Sequence, residues 1–287
     1  MRKISFLLAL GILINSCKEV VYESEVIKPL KDTTYVNNSN LTAQDKVVLL
    51  EEFTGVRCSN CPDGHKEAIR LENIFGNKIA IVGIHSPFLA SPYASDEPNF
   101  ITIIAKDIAD FLTNTTKPAA AIDRVPENNN FNYQVSAWEN KINQRLNTQI
   151  PVNIIQQIRF DNQKNKYILS LQIEFLEDFT SQVSYSIFFT ESKLKATQLQ
   201  KDGVTKIKDY IHDKVLRNAI TRSTGNSLSF PIQGKYEKGR TFIKEFELDL
   251  KTPDGQNMDV NNSYMVTFIS KDSNKEVLQV NKAKIKI

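Results

Sequence analysis

Cys58 and Cys61, three residues apart in "EEFTGVRCSNCPDGH", are the side chains of this sequence most obviously suited to chemistry. A Cys-x-x-Cys pair can exchange disulfides, supply half of a metal site, or staple a fold. A staple gains most by closing a long loop, because the unfolded chain then loses more entropy. A two-residue gap closes almost none, so the spacing favours a reactive pair. His65 follows Cys61 by four, and His85 lies further on; Cys58, Cys61, His65 and His85 would make a Cys2His2 set for zinc or copper. No second Cys-x-x-Cys supports that alternative. Taken singly, His65 reads as a surface-facing helix residue and His85 as a hydrogen-bonding residue at a sheet edge. His212 reads as a structural histidine. Glu51 and Glu52 are neighbours on one apolar run; on a strand they point to opposite faces, one of them expected in solvent.

The elements flanking the pair are expected to position it. "KVVLLEEF" (46–53) is an apolar run of the kind found in buried strands. A helix is expected from about Cys58 to Phe75, carrying Ile69, Leu71 and Ile74 and stopping at Gly76. That start sets Cys58 at a helix N-terminus, where free N–H groups, the helix dipole and neighbouring Arg57 favour a thiolate. Cys61, one turn on, is placed to resolve a mixed disulfide formed at Cys58. A second buried strand covers 78–86. Phe100, Ile104, Ile108 and Phe111 mark a second helix ending near Asn114. Pro118 opens a short apolar strand in "TTKPAAAIDRV", and Val135, Trp138, Ile142 and Leu146 share a third helical face. This order predicts a layered α/β domain with some parallel strands. Beyond Pro151 the pattern changes to period-2 alternation, as in "YILSLQIEFLED", typical of antiparallel sheets. An immunoglobulin-like β-sandwich is expected there.

The ends of the chain bear on compartment. Arg2 and Lys3 precede an apolar run from Ile4 to Ile14, too short to span a membrane, and "INSC" approximates a lipobox ending at Cys17. Lipidation there would anchor the protein to a membrane without crossing it. It would also leave Cys58 and Cys61 as an isolated pair. The formal charge of +3 loses two positive residues with the leader, and no basic block follows, which argues against nucleic-acid binding. The expected organisation is a leader at 1–16, a lipidated tether at 17–45, an α/β domain at 46–149 and a β-sandwich at 150–287.

"VVLLEEFTGVRCSNC" resembles the thioredoxin active-site region, with Glu52 and Phe53 in the places of its acid-Phe pair. The resemblance implies Glu52 as a buried proton carrier, with Glu for the usual Asp. It implies Pro118 as a cis-proline facing the disulfide and shaping a peptide groove. Arg57 replaces the usual Trp, and Ser59-Asn60 replaces Gly-Pro. "EEFTGVRCSNCPDGH", "KPAAAIDR" and "YIHDKVLRNAITRSTG" together resemble the 28-kilodalton outer-membrane-protein-related lipoproteins of Gram-negative bacteria, which join a thioredoxin-like domain to an immunoglobulin-like one. This implies an outer-membrane lipoprotein facing the periplasm or the cell surface. Its partners would be protein thiols and disulfides, or another cell-envelope protein, and no cofactor is called for. Thiol–disulfide exchange on protein partners is the expected function; the alternatives are an interaction or adhesion role with a non-catalytic disulfide and a Cys/His metal carrier.

Overall fold

The computed structural model of the chain describes residues 26–230 and 234–285; Cys17 and the leader lie outside the described residues. In chain order the elements are β1 (Lys31–Val36), β2 (Val48–Thr54), α1 (Cys61–Phe75), β3 (Ile79–His85), α2 (Ile103–Phe111), β4 (Ala119–Ile122) and α3 (Trp138–Leu146). Then follow β5 (Val152–Asp161), β6 (Lys166–Phe175), β7 (Val183–Glu191), β8 (Leu194–Leu199), β9 (Lys206–His212) and β10 (Val215–Ala219). The last are β11 (Asn226–Leu228), β12 (Arg240–Leu248), β13 (Ser263–Lys271) and β14 (Val277–Lys284).

β2 and β3 are buried along their whole length and pair in parallel, as two continuous apolar runs would. β4 closes against the other edge of β2, antiparallel. One face of this unit packs on α1 and α3, through Val48, Leu50, Leu71, Ile81, Trp138 and Ile142. The opposite face packs on α2, through Leu49, Phe53, Val82, Ile104 and Ile108. The antiparallel half stacks a four-stranded sheet, β1-β12-β6-β5, over strands that include β7 and β13. Leu169, Leu171, Phe175, Phe189, Phe246 and Met265 fill the space between these layers.

The two halves share one sheet, in the order β14-β13-β7-β10-β3-β2-β4. The junction is a short parallel contact, Val215 opposite Gly83, with the Gly83 N–H donating to the Lys214 carbonyl at 2.7 Å. No local pattern encodes it, since the strands are far apart in sequence. Part of the stretch read as tether forms β1, an edge strand on β12, with Lys244 Nζ 2.7 Å from Asp32.

Helix α1 starts at Cys61, three residues later than expected. Pro62 lies in its first turn, where a missing N–H costs nothing, and Asn60 holds the N-cap position without a side-chain capping bond. Cys58 sits in the preceding turn, its N–H donating to the Gly55 carbonyl at 3.0 Å. The inward face of α1 carries Cys61, Gly64, Ala68 and Leu71, whereas Ile69 and Ile74 are half exposed.

Candidate functional site

The site is built where β2 ends and α1 begins. Cys58 and Cys61 form a disulfide with Cα atoms 5.3 Å apart. The turn that carries Cys58 lies against the 87–93 loop. A Cβ added at Gly55 would fall 2.3 Å from the Leu89 carbonyl oxygen, so only glycine permits this approach. Arg57 is drawn into the same loop: it donates to the Ser91 and Pro92 carbonyls at 2.7 and 2.6 Å and stacks over Tyr93.

Glu52 and Pro118 meet at Gly64, one turn beyond Cys61. A Cβ there would stand 2.8 Å from Pro118 Cβ and 3.0 Å from Glu52 Oε1. The Lys117–Pro118 bond is cis, and the Lys117 ammonium donates to the Ser86 carbonyl at 2.9 Å and to the Phe88 carbonyl. Burial pushes the Lys117 ammonium down to about 7. Glu52 Oε1 is buried with no hydrogen-bond partner, and desolvation pushes its carboxyl up to about 8.

Both glutamates are buried, which corrects the expectation that one would meet solvent. Facing opposite sides of β2, they take different roles. Glu51 forms a bidentate ion pair with Arg124 at 2.7 and 2.8 Å, with neither side chain exposed. Asp123 beside it receives Lys46 at 2.8 Å and Arg145 at 2.9 Å, and accepts from the Leu49 N–H. Asp123 and Arg124 both adopt a left-handed backbone (φ 46° and 51°), held there by these ion pairs. The "IDR" of "KPAAAIDR" is thus a structural clamp on β2, with small Ala119–Ala121 before it to admit close packing.

The three histidines of the sequence converge, although each reads separately in the sequence. His65 is largely buried, with Nε2 2.7 Å from Thr54 Oγ1 and Nδ1 2.9 Å from the Tyr210 hydroxyl. His212 lies 5.9 Å from His65 and 5.7 Å from His85, centre to centre, and both His85 and His212 pack edge-on to Phe100. Desolvation holds His65 at about 3 and His212 at about 4, and puts His85 well below the usual imidazole range, so all three rings are neutral. His65, His85, His212, Glu52 and Tyr210 line a cavity of about 390 Å³. His65 and His85 therefore gather with His212, while the two cysteines are bonded to each other. Among the described residues, no group of three or more His, Cys, Asp or Glu side chains is arranged to hold a metal ion.

The β8–β9 hairpin brings Tyr210 and His212 to this place and covers the disulfide. Gln198 Nε2 donates to the Cys58 carbonyl at 3.0 Å and to the Gly55 carbonyl at 3.4 Å. The Leu199 N–H donates to the Val56 carbonyl at 2.9 Å, and Lys201 pairs with Asp63 at 2.6 Å. Beneath the hairpin, Val56, Phe100, Ala196 and Val215 form an apolar cluster. Cys58 is only 2% exposed and Cys61 not at all, so the pair read as reactive lies beneath the surface. Sequence reading misses the cover because Gln198 lies 140 positions from Cys58; the one signal is Tyr210 and His212 in the same "DYIHD" segment.

No helix among the described residues is long and apolar enough to cross a membrane. No curated protein matches the sequence. Among solved structures, HBP35 of Porphyromonas gingivalis has a similar fold, with a TM-score of 0.62 at 15% identity over 85% of this chain and 76% of that one. A domain of the outer membrane lipoprotein Omp28 from Porphyromonas gingivalis also matches, at a TM-score of 0.31 and 14% identity, over 48% of this chain and 91% of that one. The family described as outer membrane protein Omp28 matches residues 105–287, a stretch that takes in Pro118, the hairpin and His212 but begins after the cysteine pair. The chain therefore belongs to the Omp28 family of outer membrane proteins.

Proposed function

We propose that this outer-membrane protein exchanges thiols and disulfides with protein partners through Cys58 and Cys61. The observation that carries the reading is the meeting of a buried, unpartnered acid and a cis-proline at Gly64, one turn from the disulfide. In this reading residues 46–149 are a thioredoxin-like domain and 150–287 an immunoglobulin-like one, joined through a common sheet. Cys58 attacks the partner and Cys61 resolves the mixed disulfide. Glu52 takes or gives the proton at Cys61, and Pro118 shapes the groove for the partner's chain. Cys17 carries the lipid that holds the protein to the membrane. A low-dielectric site suits these roles, since a carboxyl poised near neutral pH can move a proton in either direction.

The burial of both sulfurs favours a second reading, a disulfide retained without turnover in an interaction lipoprotein. One experiment separates the two. The purified protein is assayed for reduction or oxidation of a disulfide-bonded model protein, beside Cys58→Ser. Turnover lost in the variant supports exchange; equal rates in both, at the uncatalysed level, support the retained disulfide.

A further inference from the structure

The loop between β3 and α2 is pinned on two sides and holds one aromatic ring out in solvent. On one side the Arg57 N–H donates to the Leu89 carbonyl at 2.8 Å, so Cys58 and Phe88 each lie one residue from a hydrogen-bonded pair. On the other side Lys117, the residue before Pro118, donates its ammonium to the Phe88 carbonyl and lies 6.0 Å from the centre of the Phe88 ring. Leu89 adopts a left-handed backbone (φ 59°), which a leucine takes only where its surroundings impose it. The loop carries three aromatic rings. Phe100 is buried beneath the β8–β9 hairpin, and Tyr93 is held between Arg57 at 4.3 Å and Lys206 at 4.7 Å. Phe88 is left over, 61% exposed, the most exposed large apolar side chain among the described residues of 46–149. A lone apolar side chain on a surface is ordinary. This one differs in that both segments of the disulfide site, the Cys58 turn and the cis-Pro118 segment, fix the backbone that carries it.

We propose that Phe88 is the specificity residue of the exchange site, receiving an apolar side chain next to the partner's reacting cysteine. The preferred partners are then proteins whose exchanging cysteine has an apolar neighbour. The inference deepens the exchange reading and rests on it. In reduction of a partner, the Cys58 thiolate attacks one sulfur of the partner's disulfide. That S–S bond breaks, and its electron pair leaves on the other partner sulfur, which takes a proton from solvent. The attacked sulfur is now bonded to Cys58, which brings the residues beside it over the 87–89 loop and the Phe88 ring. Cys61, as thiolate, then attacks Cys58 Sγ; the Cys58–Cys61 bond re-forms and the partner's first sulfur leaves as a thiolate. The partner has gained two electrons and the protein has lost two. An aromatic ring suits the contact, since it offers a large apolar area with only two torsions to fix. Its carrier loop is already set by Arg57 and Lys117, so little further ordering opposes binding.

The test uses two peptide disulfides, each a symmetrical dimer of one short peptide with Leu or with Ser on both sides of its cysteine. The protein, reduced and freed of reductant, is mixed with each; the reaction is quenched by alkylation and read by mass. Every rate is divided by that of the same peptide with dithiothreitol, which removes differences in intrinsic reactivity. Wild type should prefer the Leu peptide by about 5- to 10-fold, the effect of taking about half a Leu side chain out of water. Phe88→Ser, first shown to melt with wild type, should bring the preference below about twofold with the Ser-peptide rate unchanged. Phe88→Leu, which returns apolar surface, should keep a clear preference. Equal rates on the two peptides in wild type, or a preference that Phe88→Ser retains, overturn the proposal and leave the exchange reading standing. A Phe88→Leu preference as low as that of Phe88→Ser also overturns it, because apolar surface is then not what is read. Rates on both peptides no faster than those of an unfolded Cys-x-x-Cys peptide sink the exchange reading itself, and the proposal with it.

Discussion

The substitution Glu52→Gln tests the environment of the acid quantitatively. Glu52 is buried with an unpartnered oxygen, and its carboxyl is pushed from 4.5 to about 8 by desolvation. A carboxyl raised in the folded state is protonated there while the unfolded chain, above about pH 4.5, has released its proton. Folding must then take up a proton, so wild-type stability declines as pH rises from about 4.5 and levels off above about 8. Each factor of ten in the acid equilibrium is worth about 1.4 kcal/mol, which puts the full loss on the order of 4 to 5 kcal/mol. A glutamine side chain has nearly the same shape and does not titrate. Urea denaturation of both proteins at intervals from about pH 5 to about pH 8 should therefore show the variant gaining on wild type by several kcal/mol across the series. The buried histidines titrate alike in both proteins and drop out of the difference. A wild-type-to-variant difference that stays flat over that range would refute the desolvated acid, and with it the role given to Glu52.

Other substitutions probe the surroundings. Arg124→Met leaves Glu51 buried without its partner and should cost roughly 3 to 5 kcal/mol in urea denaturation; adding Glu51→Gln should recover much of it. Gly64→Ala sets a methyl 2.8 Å from Pro118 and 3.0 Å from Glu52, and the forced shift should cost about 1 to 3 kcal/mol by the same assay. Gln198→Ala removes the side-chain bonds from the hairpin to the Cys58 turn, worth about 1 to 2 kcal/mol together. Loosening of that size should speed reduction of the disulfide by a small thiol roughly 5- to 30-fold near pH 8; an unchanged rate would mean that the hairpin does not limit access.

The parts of the site written in contiguous sequence were legible as such. The apolar run before the cysteines reads as the buried strand β2 because its residues are adjacent, whereas the cis-proline at Pro118 follows only from the thioredoxin resemblance, since nothing beside Cys58 or Cys61 signals a residue so far along the chain. α1 starts at Cys61 and not at Cys58, with Pro62 in its first turn, a position that residue type favours and that periodicity alone does not register. The burial of both glutamates and the partner of Glu51 are illegible: alternation assigns opposite faces, but this strand is covered on both, and Arg124 sits 73 residues from Glu51. The histidines illustrate the same limit more sharply. Nothing near His65 signals Tyr210, and nothing near His85 signals His212; the hairpin joins them through hydrogen bonds of Gln198 and Leu199 to the very turn that holds Cys58. Where a short motif is completed by a remote element, its residue types can suggest chemistry, but its exposure and proton traffic belong to the tertiary structure.

Whether Cys58 is a nucleophile resolved by Cys61 is decided by trapping. Cys61→Ser leaves Cys58 without its resolving thiol, and incubation with a disulfide-bonded model protein should yield a covalent one-to-one adduct that a reductant dissolves. Cys58→Ser, treated identically, should give none. Adducts absent from both variants, or formed equally by the two, would contradict the assignment of attacking and resolving sulfurs.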